Sequence, residues 1–375
     1  MSPERGGHIT HVYTPAPSRS SPSGAPRVSH AAMIQAPFLL YLGHSTDPVG
    51  IKTSRGLATF RPADCLGEFR HDDCPLTLGL PRLTIAEAAA AGARTLVLGI
   101  AHAGGAMAPA LIADAAAALE AGLHVASGLH HRLRDVPELV ALAEARGLTL
   151  TDVRDPPADL RVGTGYPRAG RRLLTVGTDC SVGKMYASLA LTQGFKARGE
   201  LADFRATGQT GILIAGSGIP VDAVVADFIS GAIEMLAPAR HDGGWDVIEG
   251  QGSLFHPSFA GVSTGLLHGA QPEALVLCHD PARLEMRGLP GRRLPGLAEC
   301  LDANLQTARL TSPDVYAAGI CLNTVSMEEN AALALCRRTE DMLGLPTTDP
   351  HRFGVEPILA KLCDAPFQHA TSASR

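Results

Sequence analysis

No apolar run in this 375-residue chain approaches the roughly 20 residues that a helix needs to span a bilayer, which argues against an integral membrane protein. Basic residues are not in excess either. The net charge of −5 and a pI near 6.3 leave no broad positive surface for nucleic acid or an anionic membrane, so neither is expected as a partner. The 8 cysteines are scattered, with no C-x-x-C pair and no Cys/His cluster at zinc spacing. They read as mostly buried free thiols of a reducing compartment. The first 36 residues lack the continuous apolar core of a secretion signal, and the sequence predicts a cytoplasmic protein.

What is present is ordinary globular composition, 45% hydrophobic and 18% charged, in a length that suits two cores. Residues 1–36 are rich in Ser, Pro, Gly and His and are expected to form a disordered leader. Phe38 to Gly43 then opens an alternation of elements. Helices are expected at 84–93, 108–121 and 137–146, and buried strands at 95–101, 123–126 and 148–153. Strands alternating with helices imply right-handed βαβ units and a parallel sheet. The expected fold class is therefore α/β, with a Rossmann-like N-terminal domain over 37–155. A Pro- and Gly-rich linker follows over 156–171, with Pro156-Pro157 and Gly163-Thr164-Gly165 as punctuation, and a second parallel-sheet domain spans 172–375. Its strands are expected to begin just before Gly177 and to continue at 202–206, 245–248, 274–278 and 317–322.

The strongest motif is Gly177-Thr178-Asp179-Cys180-Ser181-Val182-Gly183-Lys184, a G-x-x-x-x-G-K segment between a strand and a predicted helix at 186–198. Its backbone N–H groups and helix N-terminus can surround phosphate oxygens while Lys184 adds a positive charge. The next position normally carries the hydroxyl that ligates Mg²⁺, and here it is Met185. Phosphate binding is expected; magnesium binding is left open, and no metal site is read from the residues.

Further candidates lie on neighbouring strand ends. Trp245-Asp246-Val247-Ile248 runs into Glu249-Gly250-Gln251-Gly252-Ser253 and puts Glu249 at the carboxyl edge where open α/β sheets bind ligands. Glu249 is the first candidate for a general base, with a turn-stabilising acid as the plain alternative; Asp246, at the strand start, reads as structural. The polar glycine loop 204–211 offers Arg205, Thr207, Gln209 and Thr210 as donors, or simply connects elements. Arg205 and Arg287 suit a carboxylate substrate because guanidinium presents two parallel donors, although each can equally form an ordinary ion pair. Asp222 reads as a helix cap. His256, His268 and His279 follow glycine or strand-end positions and can shuttle protons or serve only as hydrogen-bonded structure. Asn323 is placed to meet an adenine edge or to stabilise a turn. In the first domain the loops 99–105 and 127–131 could wall an interdomain site, but neither carries a full dinucleotide fingerprint.

The segments 177–184, 205–211 and 247–253 resemble the nucleotide-binding fold of dethiobiotin synthetase and its relatives, which pair a Gly-Thr-Asp P-loop with a Glu-Gly strand end. A closer resemblance, covering nearly everything after residue 37, is to a P-loop family long labelled a domain of unknown function, and within it to D-glutamate N-acetyltransferases. It is carried by Val176 to Tyr186, Phe204 to Ile214, Pro220 to Phe228, Asp246 to His256, Leu267 to Pro272 and Met286 to Pro290. Ala126 to His130 extends it into the first domain. Met185 belongs to that family's own loop.

The resemblance implies acetyl transfer from acetyl-CoA, as co-substrate, to the amino group of D-glutamate. CoA carries phosphates that a P-loop can hold without phosphoryl transfer. The chemistry then requires a base, for which Glu249 stands first and His256 second, with Arg205 or Arg287 for the substrate carboxylates. Backbone N–H groups of 208–211 or 250–252 are candidates for the oxyanion. An ATP-dependent small-molecule kinase or ligase and a nucleotide-binding sensor remain the competing readings. A homo-oligomer is expected from size and class.

Overall fold

A computed structural model of the chain describes residues 34–100 and 107–364; the expected leader up to residue 33 and most of the loop after residue 100 lie outside them. The first unit runs β1 (Phe38–Gly43), α1 (Lys52–Phe60), β2 (Cys65–Arg70), α2 (Ile85–Ala90), β3 (Thr95–Leu98), α3 (Pro109–Glu120), β4 (His124–Ser127), α4 (Pro137–Arg146) and β5 (Leu150–Asp152). The second runs β6 (Arg171–Gly177), α5 (Lys184–Ala197), β7 (Ala202–Arg205), α6 (Gln209–Ala215), α7 (Ile229–Leu236), β8 (Trp245–Ile248) and α8 (Ala260–Ala270). It closes with β9 (Ala274–His279), α9 (Leu297–Arg309), β10 (Tyr316–Leu322), α10 (Glu329–Leu343), β11 (Thr347–Thr348) and α11 (Glu356–Asp364).

Both sheets are wholly parallel. The first has the order β2-β1-β3-β4-β5 and the second β11-β10-β9-β6-β8-β7. Helices cover the faces, so strands such as β1 and β8 are buried at every position, and β1 reads as an unbroken apolar run rather than an alternating one. Local signals act where they should: Thr84 and Glu87 form a reciprocal capping box on α2, and Gly147 closes α4 in the left-handed conformation. In the first sheet the chain reverses direction between β1 and β3, and in the second about β6. Open α/β sheets bind ligands outside the carboxyl ends of their strands at such switch points.

The two sheets are joined by an apolar cluster of their own. Ile212 and Leu213 of α6 pack with Leu40, Leu57 and Val97 of the first unit. Gly56 of α1 permits this approach, because a Cβ there would lie 2.7 Å from Thr210 Cγ2 and 3.6 Å from Met185 Cε. The Pro- and Gly-rich bridge is fastened down as well. Backbone N–H groups of Thr164 and Gly165 donate to the Glu234 carboxylate on α7, and Gln271 Nε2 donates to Gly165 O. Ordered contacts start slightly before the expected end of the leader, with Gln35 O accepting from Thr95 Oγ1 at 2.8 Å.

In the second unit Trp245 is fully buried and stacks on Phe195 of α5, ring centroids 5.3 Å apart. This pair ties β8 to the helix that follows the P-loop. Truncating Phe195 to Ala is expected to cost about 3–5 kcal/mol of stability. Denaturant unfolding followed by the fluorescence of Trp245 checks this, and an unchanged midpoint would contradict it.

Candidate active site

The P-loop sits where β6 ends and α5 begins, flanked by β8 and β9. Ser181 adopts a left-handed backbone (φ 55°), a geometry that turns successive N–H groups toward one point. The backbone N–H groups from Asp179 to Lys184 find no acceptor among the described residues. Lys184 is buried, and its Nζ donates to Asp179 O at 2.7 Å and Gly252 O at 2.8 Å. Burial drives its pKa below the usual lysine value. Arg283, which no sequence motif marks, secures the loop from outside: its guanidinium donates to Asp179 Oδ2 (3.0 Å), Cys180 O (2.6 Å) and Ser181 O (3.1 Å). Asp179 Oδ1 is buried without a hydrogen-bond partner among the described residues. An unfilled run of N–H groups beside a buried ammonium is the donor set that a phosphate group fits.

Met185 is turned away from this loop and lies against Gly56 of the first unit. Its thioether packs the seam between the sheets at the position where a standard loop keeps its metal-binding hydroxyl. Asn323 follows β10 alongside the loop, its Cβ 3.9 Å from where a Cβ on Gly183 would sit.

Glu249 follows directly after β8 and is buried. Its Oε2 accepts from the N–H groups of Thr207 (3.0 Å) and Gly208 (3.2 Å), while Oε1 has no hydrogen bond from any described residue. Gly211 leaves room for the carboxylate, since a Cβ there would fall 2.3 Å from Oε2. Desolvation by burial lifts the Glu249 pKa to about 7, and the two N–H donors and Lys52 oppose the rise. A carboxyl poised there can exchange a proton near neutral pH.

Several sequence candidates are occupied by protein partners. Arg205 turns back along β7 and pairs with Asp246 at 2.7 Å, in a cluster shared with Arg240 and Asp203, so the guanidinium expected to take a carboxylate substrate is held by a structural acid. Thr207 Oγ1 donates to Glu249 O at 2.6 Å. Thr210 Oγ1 meets Thr53 Oγ1 at 2.8 Å across the seam, and Gln209 bridges Gly128 O and Arg154. Of the expected loop 204–211, residues 204–205 end β7 and 209–211 begin α6; Thr207 holds Glu249, while Gln209 and Thr210 join the two units. His256 is buried with Nδ1 accepting from Ser258 N–H and Nε2 facing Arg287 O at 3.1 Å. Both ring nitrogens are therefore engaged, which leaves it a poor second base.

His279 Nδ1 pairs with Thr178 Oγ1 at 2.9 Å, and His268 sits in the last turn of α8. Gly208 and Gly250 spend their N–H groups on Glu249 Oε2 and Thr175 Oγ1, so of the oxyanion candidates the N–H groups of Gln209, Thr210, Gly211, Gln251 and Gly252 are those without a described acceptor. Asp222 caps no helix; it lies in a 3-10 turn over Val221–Ala223 and binds Arg154 of the first unit. Arg287 remains at the site, its guanidinium 2.9 Å from Ser181 Oγ and its N–H on Asp179 Oδ2. Burial raises the Cys180 thiol pKa, which makes it a weak nucleophile. The loop at 99–105, expected to help wall the site, falls mostly outside the described residues.

With this geometry in view the comparisons with known proteins are direct. Residues 161–359, more than half of the chain, match the family described as Domain of unknown function (DUF1611_C) P-loop domain. The chain belongs to the DUF1611 family. Residues 69–156 match its N-terminal partner, described as a Rossmann-like domain, so the two sheets are the Rossmann-like and P-loop domains of DUF1611. A protein of Pseudoalteromonas sp named D-glutamate N-acetyltransferase is 47% identical over 330 residues, 88% of this chain and 99% of its own length. Another of that name, from Tritonibacter scottomollicae, is 48% identical over 322 residues, 86% and 97% of the two chains. A solved DUF1611 family protein from Anabaena variabilis superposes with a TM-score of 0.80 at 33% identity, covering 88% of this chain and 100% of that one. No helix among the described residues is long and apolar enough to cross a membrane.

The Glu249 shift has a thermodynamic signature. The folded pKa, about 7, lies above the ordinary value of 4.5, so the folded state keeps a proton that the unfolded chain has released. The stability this confers is complete below about 4.5 and is lost as pH rises through about 7. Urea unfolding of the wild type and Glu249→Gln at pH 5 and pH 8 is expected to show the wild type losing ground to the variant at the higher pH. A pH-independent difference would mean an unshifted carboxyl.

Proposed function

We propose that this chain is an N-acetyltransferase that moves the acetyl group of acetyl-CoA onto the amino group of D-glutamate. The observation that carries this reading is near-full-length identity of 47% to a protein of that name. The site supports it on chemical grounds. The free N–H run of the P-loop and Lys184 suit the phosphates of CoA, and a thioester is reactive enough to need no activation by ATP. The packing of Met185 into the domain seam favours this over in-line phosphoryl transfer, which leans on a well-held Mg²⁺.

The residues assign themselves to steps. An ammonium group has no lone pair, so the acceptor must first lose a proton, and Glu249 can take it through Oε1 once ionised. The freed amine attacks the thioester carbon, and the N–H groups of Gln251 and Gly252 or of the first turn of α6 are unoccupied donors for the oxyanion. Collapse of the adduct breaks the C–S bond, forms the amide and releases the CoA thiolate, which takes up a proton. Holding both reactants at the seam of two domains supplies the orientation on which such a reaction depends.

Purified protein incubated with acetyl-CoA and D-glutamate is expected to release free thiol, with L-glutamate and acceptor-free samples as controls. The rate should rise with pH through about 7 as Glu249 ionises. Lys184→Ala should weaken acetyl-CoA binding, whereas Glu249→Gln should lower kcat by about 10²-fold or more with acetyl-CoA affinity retained. ATP hydrolysis without thiol release would replace this reading with a kinase or ligase.

A further inference from the structure

Lys52 belongs to no motif that the sequence singles out, yet it opens α1 at the switch point of the first sheet. Ser54 N–H donates to Gly99 O at the end of β3 and Ser54 Oγ to Tyr41 O of β1, so the start of α1 is seated between the carboxyl ends of these two strands. Thr53, its neighbour, bonds Thr210 on α6, two residues from the Gly208 N–H that holds Glu249. Lys52 therefore meets the catalytic edge of the P-loop domain from the opposite domain. It bears electrostatically on Glu249 and Cys180 and is itself repelled by Arg287 and Arg154, with Asp222 a smaller attraction.

The charges at this point do not balance. Arg154 is matched by Asp222, and its Nε donates to Gly128 O. Arg287 reaches a carboxylate only at 4.0 Å, that of the largely exposed Asp47 on the rim. Lys52 Nζ has no ion pair or hydrogen bond among the described residues. A half-buried ammonium facing two guanidinium groups is costly unless an anion joins them.

We propose that Lys52, with Arg287, forms the carboxylate-binding subsite for an acidic amino acid acceptor, so that each domain contributes one cation to the clamp. The occupant's identity rests on the acetyltransferase reading; the anion site does not. A carboxylate fits better than a CoA phosphate for two reasons. The phosphate already has the P-loop N–H run and Lys184. And an amino acid carries its α-carboxylate one carbon away from the nitrogen that must meet Glu249, so a cation that acts electrostatically on that base is placed to meet a carboxylate of the same molecule. Two cations match a dicarboxylate, which discriminates glutamate-like acceptors from neutral ones.

The test uses Lys52→Met and Lys52→Arg in the full-length protein. Lys52→Met is expected to raise the KM for D-glutamate by about ten-fold or more, with acetyl-CoA affinity unchanged and the unliganded melting temperature unchanged or raised. Lys52→Arg should restore most of the loss. Glutarate binding by calorimetry, without acetyl-CoA, should be weakened in the Met variant and serves as an arm independent of turnover. If the wild type transfers no acetyl group but binds glutarate through Lys52, the subsite stands and the acetyltransferase reading falls. The proposal is overturned if Lys52→Met loses acetyl-CoA affinity with acceptor KM and glutarate binding intact, or if it only lowers the unliganded melting temperature.

Discussion

The two hydrogen bonds from the Thr207 and Gly208 N–H groups to Glu249 are the point on which the site turns. They exist because β7 and β8 are neighbours in parallel register, with Glu249 N–H continuing the ladder onto Arg205 O at 3.0 Å. They hold the carboxylate at the very start of α6. The middle of α6 presents Ile212 and Leu213 to the first sheet. One short helix thus orients the proposed base and also docks the two domains, so movement of one domain against the other would disturb the base directly.

Burial of ionisable groups is the second theme. Lys184, Glu249 and Lys52 each give up hydration, and each has its pKa moved toward the neutral form. Desolvated charges of this kind are costly in the unliganded protein and are repaid when a ligand of opposite charge arrives. Arg283 and the Arg205–Asp246 pair behave differently. Their charges are answered within the protein, and they stiffen the P-loop and the β7–β8 edge respectively.

Met185 shows how a single position acquires its meaning from packing. Read along the chain, it is a P-loop without its metal hydroxyl. In three dimensions its methyl lies on Gly56, in the helix that delivers Lys52 to the site. The residue that stands where a standard loop has its hydroxyl is thus also one that packs the P-loop helix against the Rossmann-like domain.

Local and periodic information by itself determined the parallel α/β class, the strands from Phe38 to Leu322 apart from β2, the P-loop and the placing of Glu249 at a strand end, because buried strands and G-x-x-x-x-G-K turns are written in contiguous residues; β2, half-buried over most of its length, carries no such unbroken apolar run. Residues 204–211 read as a glycine loop, which hides the first turn of α6, since two glycines at 208 and 211 give little intrinsic helicity; this seven-residue helix forms because its apolar face is buried between two domains. The same limit applies to direction. Arg205 and Arg287 were indistinguishable as residues, and only the fold turned one toward Asp246 and left the other beside Ser181. Lys52 and Arg283 carry no signal at all in the sequence, 132 and 99 positions from Lys184 by subtraction of their numbers. What brings them to the P-loop is long-range packing between β1, β3, α6 and the segment after β9, which tertiary structure alone decides.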